Sequence, residues 1–209
     1  MAFDSKMEQV MKETLFDSIK KAETIYKTSP AKKADPYRAG YHLMPPVGWL
    51  NDPNGLCQKD GVYHVFFQYS PFDAEGGMKC WGHYTSHDLV NWNYDGVIIV
   101  PDHEADKDGS YSGSALVENG KIHLFYTGNT KEKGDFDYIH EGRGANTIYV
   151  SIEGDSVSEK NVVMTNADYP PDFTCHVRDP KVWKENGMYY MLQGGRKIGD
   201  KGAVIVFES

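Results

Sequence analysis

The chain has 209 residues, 13% of them aromatic, with 14 Tyr, 21 Gly and a formal charge of -8, enough length for one large domain or two small ones. The acidic balance and the lack of a basic stripe exclude a polyanionic partner such as nucleic acid, which needs clustered Lys and Arg to neutralise phosphates. The N-terminus lacks the layout of a secretory signal and no run approaches the ~18 apolar residues of a membrane span, so a cytoplasmic protein with no membrane partner is expected.

Residues 4 to 27 are predicted to form a helix, because Met7, Val10, Met11, Leu15, Ile19, Ala22, Ile25 and Tyr26 recur on one stripe. Ser5 and Glu8 make a candidate capping box and Pro30 stands just past the end. Basic residues do not dominate the polar face, so the helix is expected to pack on the outside of the main domain rather than on a membrane or partner. Residues 28 to 37 are expected to be a linker, dividing the chain into an N-terminal segment, 1–37, and a main domain, 38–209.

From residue 38 the pattern becomes short aromatic strands between Gly, Asn and Asp turns. It repeats: segments 61–69, 120–128 and 187–195 align, each starting with Gly. Each follows, eight or nine positions on, a polar residue entering a strand, namely Asp52, Ser112 and Asp179. Each also precedes a further strand, over 81–86, 146–151 and 203–209. A repeat of several antiparallel strands about 60 residues long points to β-propeller blades, in preference to a β-sandwich, which has no reason to repeat at this period. Equivalent blade positions meet at the axis, so Asp52, Ser112 and Asp179 are predicted to converge. Propellers close with about four to eight blades, whereas this chain supplies roughly two and a half, so it is expected to be part of a longer propeller.

Asp52 sits in Asn51-Asp52-Pro53-Asn54-Gly55 and Asp179 in Arg178-Asp179-Pro180. Two carboxylates at a funnel mouth are what glycosidic-bond cleavage needs, and spacing alone pairs them as nucleophile and acid. The three cysteines, Cys57, Cys80 and Cys175, form no Cys-x-x-Cys pair and are expected to be reduced and packed. His42, His83 and His176 lack ligand spacing, so no metal is expected. Asp88 with Trp92 is taken as structural. The acidic run 102–108 is expected to be a solvated loop near the funnel rim, with calcium binding disfavoured by its spacing.

The segments 41–45 and 48–55, together with 64–71, 81–83, 86–92, Tyr111-Ser112-Gly113-Ser114 and Arg178-Asp179-Pro180, resemble in order the motifs of glycoside hydrolase family 32, the invertases, sucrose-6-phosphate hydrolases and fructan hydrolases. The resemblance implies an all-β, five-bladed propeller, usually followed by a β-sandwich, that cleaves terminal β-fructofuranosides with retention. It assigns Asp52 as the nucleophile that forms a covalent fructosyl-enzyme. It also moves Asp179 from acid to stabiliser of the oxocarbenium-like transition state, with Arg178 in the same pocket. At the fructosyl subsite it implies Trp49, Leu50, Asn51, Gln68, Trp81, Tyr111 and Ser112, with the amides hydrogen-bonding the sugar and the indoles packing on the furanose. Tyr111 stands where Phe is common.

The family's general acid/base is a Glu in a Glu-Cys motif beyond Arg-Asp-Pro, and no glutamate of this chain precedes Cys. The chain alone is therefore expected to be nearly inactive, since such an acid contributes typically ~10²–10⁴-fold. No cofactor is implied. The expected substrate is a small saccharide, sucrose or sucrose 6-phosphate. A propeller that binds carbohydrate without catalysis and a fructosyltransferase are the alternatives, the former disfavoured by the joint presence of Asp52 and Asp179.

Overall fold

A computed structural model of the protein describes residues 5–154 and 156–209, without the side chains of residues 5–8, 31 and 33. The candidate capping box of Ser5 and Glu8 therefore lies outside the described side chains. Helix α1 spans Ser5–Thr28, and a second short helix, α2, spans Pro30–Lys33. The stretch expected to be a plain linker thus holds a turn of helix, which Pro30 can open because its missing N–H is not needed there. Burial of the α1 stripe is confined to its middle: Ile19 is buried and Leu15 and Phe16 are partly so, while Val10, Met11 and Ile25 stay exposed. No described helix is long and apolar enough to cross a membrane.

Among the described residues, twelve strands in three antiparallel sheets follow. Sheet one runs in order through β1 (Trp49–Lys59), β2 (Val62–Ser70), β3 (Cys80–Ser86) and β4 (Asn93–Ile99). Sheet two contains β5 (Ser110–Glu118), β6 (Lys121–Lys131) and β7 (Arg143–Glu153), and the short β8 (Ser156–Val157) and β9 (Asn161–Met164) both pair with β7. Sheet three is β10 (Phe173–Glu185), β11 (Met188–Lys197) and β12 (Lys201–Glu208). The three segments aligned in the sequence are β2, β6 and β11, the second strand of each sheet. Glycines with positive φ open them at Gly61, Gly120 and Gly187, as the tight turns require.

Three apolar layers hold the assembly. Sheet one meets sheet two through Phe66, Trp81 and Ile99 against Leu124, Tyr126 and Ile148. Its other face, with Phe67, Tyr69 and Tyr84, is covered by Ile19 of α1, and Tyr94 donates to Glu23 at 2.6 Å. Sheets two and three share a smaller cluster of Ala145, Tyr169, Val177 and Ile205. The first strands β1, β5 and β10 are neighbours and are stitched in sequence. The Gly113 N–H donates to Asn54 Oδ1 at 3.4 Å, and the Val182 N–H to Ser114 Oγ at 3.0 Å.

The acidic run 102–108 departs from expectation. Asp106 is fully buried, and its carboxylate accepts from Lys160 Nζ at 2.6 Å, Tyr126 Oη at 2.7 Å and Ser110 Oγ at 3.0 Å. Lys160 also pairs with Asp102 and donates to the Val100 carbonyl at 2.6 Å. The charge needed to bury these acids arrives from far along the chain, so local composition could not announce it.

Candidate active site

Each first strand carries one extra residue at the same level. In β1, Leu50 pairs with Tyr69 and Pro53 with Phe67, so Asn51-Asp52 forms a bulge. In β5, Ser110 pairs with Gly128 and Gly113 with Tyr126, leaving Tyr111-Ser112 bulged. In β10, Arg178 pairs with Gly194 and Lys181 with Leu192, leaving Asp179-Pro180. A bulge breaks the alternation of a strand and re-aims its side chains. Asp52, Ser112 and Asp179, the three residues singled out by the repeat, sit in these bulges.

Ser112 Oγ donates to Asp52 Oδ2 at 2.6 Å across 60 residues of sequence. That bond is the main reason the Asp52 carboxyl stays below the usual carboxylate range. Partial burial opposes it, and Asn51, the local backbone N–H and the Arg178 charge support it. Asp179 has φ 63°, a left-handed backbone that Asp tolerates at a cost of roughly 1–3 kcal/mol. Its N–H is fixed by a 2.9 Å bond to Thr127 Oγ1 in sheet two. Crowding by protein pushes the Asp179 pKa up, Arg178 pulls it back and the Asp52 charge adds to the rise. Two carboxyls within reach of one another's field, one pushed down and one up, are a division of labour typical of acid/base and nucleophilic sites.

These features coincide with a family match. The sequence model described as Glycosyl hydrolases family 32 N-terminal domain matches residues 42–209. The chain belongs to glycosyl hydrolase family 32. It is 42% identical over 187 residues to the sucrose-6-phosphate hydrolase of Bacillus subtilis (strain 168), covering 90% of this chain and 37% of that protein. It is 36% identical to the raffinose invertase of Escherichia coli, covering 89% and 38% respectively. Among solved structures, the sucrose-6-phosphate hydrolase of Lactobacillus gasseri superposes with TM-score 0.77 at 34% identity, over 92% of this chain and 37% of that one. The β-fructofuranosidase of Bombyx mori gives 0.76 at 28% identity, over 94% and 40%. This family 32 chain thus spans less than half the length of the relatives it matches.

The remaining expected site residues of the family 32 chain divide into two groups. Trp49, Asn51 and Gln68 form one chain of hydrogen bonds: Trp49 Nε1 donates to Asn51 Oδ1 at 3.0 Å and Asn51 Nδ2 to Gln68 Oε1 at 2.7 Å. Trp49 keeps 40% exposure, enough to offer a ring to a ligand, whereas Gln68 is buried at 5%. Leu50 packs partly into the core beside Phe67 and Tyr69, and Tyr111 and Arg178 are half-buried. Trp81 differs from expectation. It is fully buried between sheets one and two, and its Nε1 donates to the Tyr111 carbonyl at 2.9 Å. It has no surface to pack on a furanose and instead pins the bulge that carries Ser112, because sheet two covers the face of β3 from which it projects.

Lys79 was not anticipated. Its Nζ donates to Asn51 Oδ1 at 3.1 Å, so that oxygen accepts twice and the amide nitrogen must face Gln68 and Asp52. Burial lowers the Lys79 pKa, while Asp52 and Asp73 hold its charge. A lone lysine after Gly76-Gly77 resembles any surface lysine in sequence, and only the return of its loop over β1 distinguishes it. Among the described residues no cluster of His, Cys, Asp or Glu could hold a metal ion. His83, one of the three histidines considered as ligands, stacks with His64, ring nitrogens 3.0 Å apart.

Replacing Ser112 by Ala removes the strongest influence that depresses Asp52. The Asp52 pKa is expected to rise toward the ordinary carboxylate value, so any Asp52-dependent activity loses its acid limb at higher pH. A depressed carboxylate stabilises the fold above its unfolded pKa and loses that contribution as pH falls through the folded value, so Ser112→Ala is expected to lower stability at neutral pH and to make it fall less steeply toward acid. Carbon-detected NMR titration of the Asp52 carboxyl measures the shift. An unchanged titration would refute the role given to Ser112.

Proposed function

We propose that the chain provides the fructosyl-binding part of a retaining β-fructofuranosidase acting on sucrose or sucrose 6-phosphate. The observation that carries this reading is the placement of Asp52, Ser112 and Asp179 in three equivalent bulges, with Arg178 beside Asp179 and Asp52 held ionised. In this reading the Asp52 carboxylate attacks the anomeric carbon of the fructosyl unit as the glycosidic C–O bond breaks. The leaving oxygen takes its proton from the family's Glu-Cys glutamate, and water then hydrolyses the fructosyl ester. Asp179 and Arg178 hold the sugar hydroxyls as positive charge develops on the ring, and Trp49, Asn51 and Gln68 set its orientation.

The repeated meanders and the family's solved structures support a five-bladed propeller over residues 38–209 and beyond, with residues 1–37 as a helical preface. The relatives named sucrose-6-phosphate hydrolase support an enzyme of sugar metabolism, which this reading places in the cytoplasm and gives no cofactor. The test is fructose release from sucrose and from sucrose 6-phosphate by a polypeptide that joins this chain to the Glu-Cys segment, with the anomer formed first followed by NMR. The β-anomer of fructose is expected first, and the 209-residue chain alone is expected to release none. Inversion, or no fructose from any fructoside, would overturn the proposal. Transfer to a second sugar in preference to water would favour the fructosyltransferase alternative.

A further inference from the structure

The loop that joins β2 to β3, residues 71–79, returns over the start of β1 and delivers one charged side chain beside the candidate nucleophile. Lys79, its last residue, is partly buried, and its Nζ shares Asn51 Oδ1 with the Trp49 indole, at 3.1 and 3.0 Å. Ammonium and indole N–H groups can only donate. The atom they share must therefore be the amide oxygen, and the Asn51 nitrogen is turned away from them to donate to Gln68 Oε1 at 2.7 Å. A reversed amide would set its NH2 group against two donors. Lys79 and Trp49 thus fix the sense of the whole chain of hydrogen bonds. That includes the bond from Asn51 to the Asp52 carboxylate, one of the contacts that hold this acid below the usual range.

The same lysine reaches the other support of Asp52 through its main chain. Its carbonyl accepts from the Ser110 N–H at 2.9 Å, where β5 opens, two residues before the Ser112 whose Oγ donates to Asp52 Oδ2. Two glycines leave room for this course. A Cβ on Gly76 would stand 2.9 Å from Lys79 Nζ and 3.5 Å from the Trp49 ring, and one on Gly109 would stand 3.4 Å from Lys79 Cβ and 2.8 Å from the Tyr111 ring. Both have positive φ, 91° and 134°, the region that favours glycine. Asp52 and Asp73 hold the lysine's charge against the cost of burial. Coulombic attraction is mutual, so the ammonium in turn favours the ionised form of Asp52.

We infer that Lys79 is a positioning residue for the nucleophile: through Asn51 it fixes which end of the amide meets Asp52, and through Ser110 it ties the Ser112 bulge to the same loop. The inference rests on the fructoside reading above and adds a residue to it. Lys79 moves no proton in the reaction. Its part requires a fixed positive charge and a donor aimed at Asn51 Oδ1, which an arginine can supply in part and an apolar side chain of similar length cannot.

Lys79→Met and Lys79→Arg are compared with the parent in two measurements. In the 209-residue protein, carbon-detected NMR follows the titration of the Asp52 carboxyl. In the polypeptide extended through the Glu-Cys segment, fructose release from sucrose gives kcat and KM across pH, and circular dichroism gives Tm. Lys79→Met is expected to titrate Asp52 at higher pH and to move the acid limb of kcat/KM the same way. Its kcat should fall about 10- to 100-fold, the scale of one charge-assisted hydrogen bond, with a smaller change in KM and Tm near that of the parent. Lys79→Arg should bring the Asp52 titration back and recover much of the lost kcat. An Asp52 titration unmoved in Lys79→Met overturns the inference. Turnover that falls only as Tm falls, with no recovery in Lys79→Arg, shows a structural role alone and overturns it too. Should Lys79→Met not fold, Lys79→Gln, which keeps a donor and loses the charge, takes its place under the same criteria. No fructose from the extended parent overturns the fructoside reading, and the NMR titration then decides the role of Lys79 by itself.

Discussion

Asp52→Asn is expected to lower fructoside turnover by roughly 10⁴-fold or more, the scale on which removal of a covalent nucleophile is felt. The measurement is the initial rate of fructose release by a polypeptide that includes the Glu-Cys acid/base. The fold should survive, because an asparagine side-chain oxygen can still accept from Ser112 Oγ, the 2.6 Å bond that anchors this carboxylate. The ground-state contacts proposed for Trp49, Asn51 and Gln68 are untouched by the change, so the loss should fall on kcat with KM little changed. Mass spectrometry under rapid quench should show a fructosyl adduct on the Asp52 peptide of the parent and none on the variant. Turnover within tenfold of the parent would remove Asp52 from the role of nucleophile.

The largest effect on stability is expected away from the sugar. Asp106 is fully buried and Lys160 nearly so, the side chain of the lysine being 10% exposed. Asp106→Ala leaves Lys160 with only Asp102 and the Val100 carbonyl, and strips Tyr126 and Ser110 of their acceptor. Breaking a buried pair from one side typically costs about 3–5 kcal/mol, which for a chain of this size lowers Tm by on the order of 10 °C. The double variant Asp106→Leu/Lys160→Met should recover much of that loss, because it leaves no buried charge unpaired. Thermal unfolding followed by circular dichroism measures both. A single variant melting within a degree or two of the parent would show that water reaches the pair. Ser110 lies two residues before Ser112, so the same network braces the bulge from which Ser112 reaches Asp52.

Much of this was legible before any coordinates. The period of the repeat, the Gly-led strands and the polar residue eight or nine positions earlier placed Asp52, Ser112 and Asp179 at equivalent levels, and those three sit in equivalent bulges. Trp81 was not legible, because an indole on a central strand gives the same letters whether it faces a cleft or a neighbouring sheet. Lys79 and the pairing of Lys160 with Asp106 were hidden for a related reason: the partners lie 28 and 54 residues apart, and no local pattern joins them.

By itself the sequence determined the class of fold, the strands and turns, and the equivalent levels at which Asp52, Ser112 and Asp179 stand. Alternation, glycine at left-handed turns and repeated motifs are written in neighbouring residues. The tertiary structure alone decided which charges are buried, which way the bulged side chains point, and how far Ser112 and Arg178 bias Asp52 against Asp179. Those outcomes depend on distances between segments remote in sequence, and electrostatic energies follow distance and exposure to water rather than chain order.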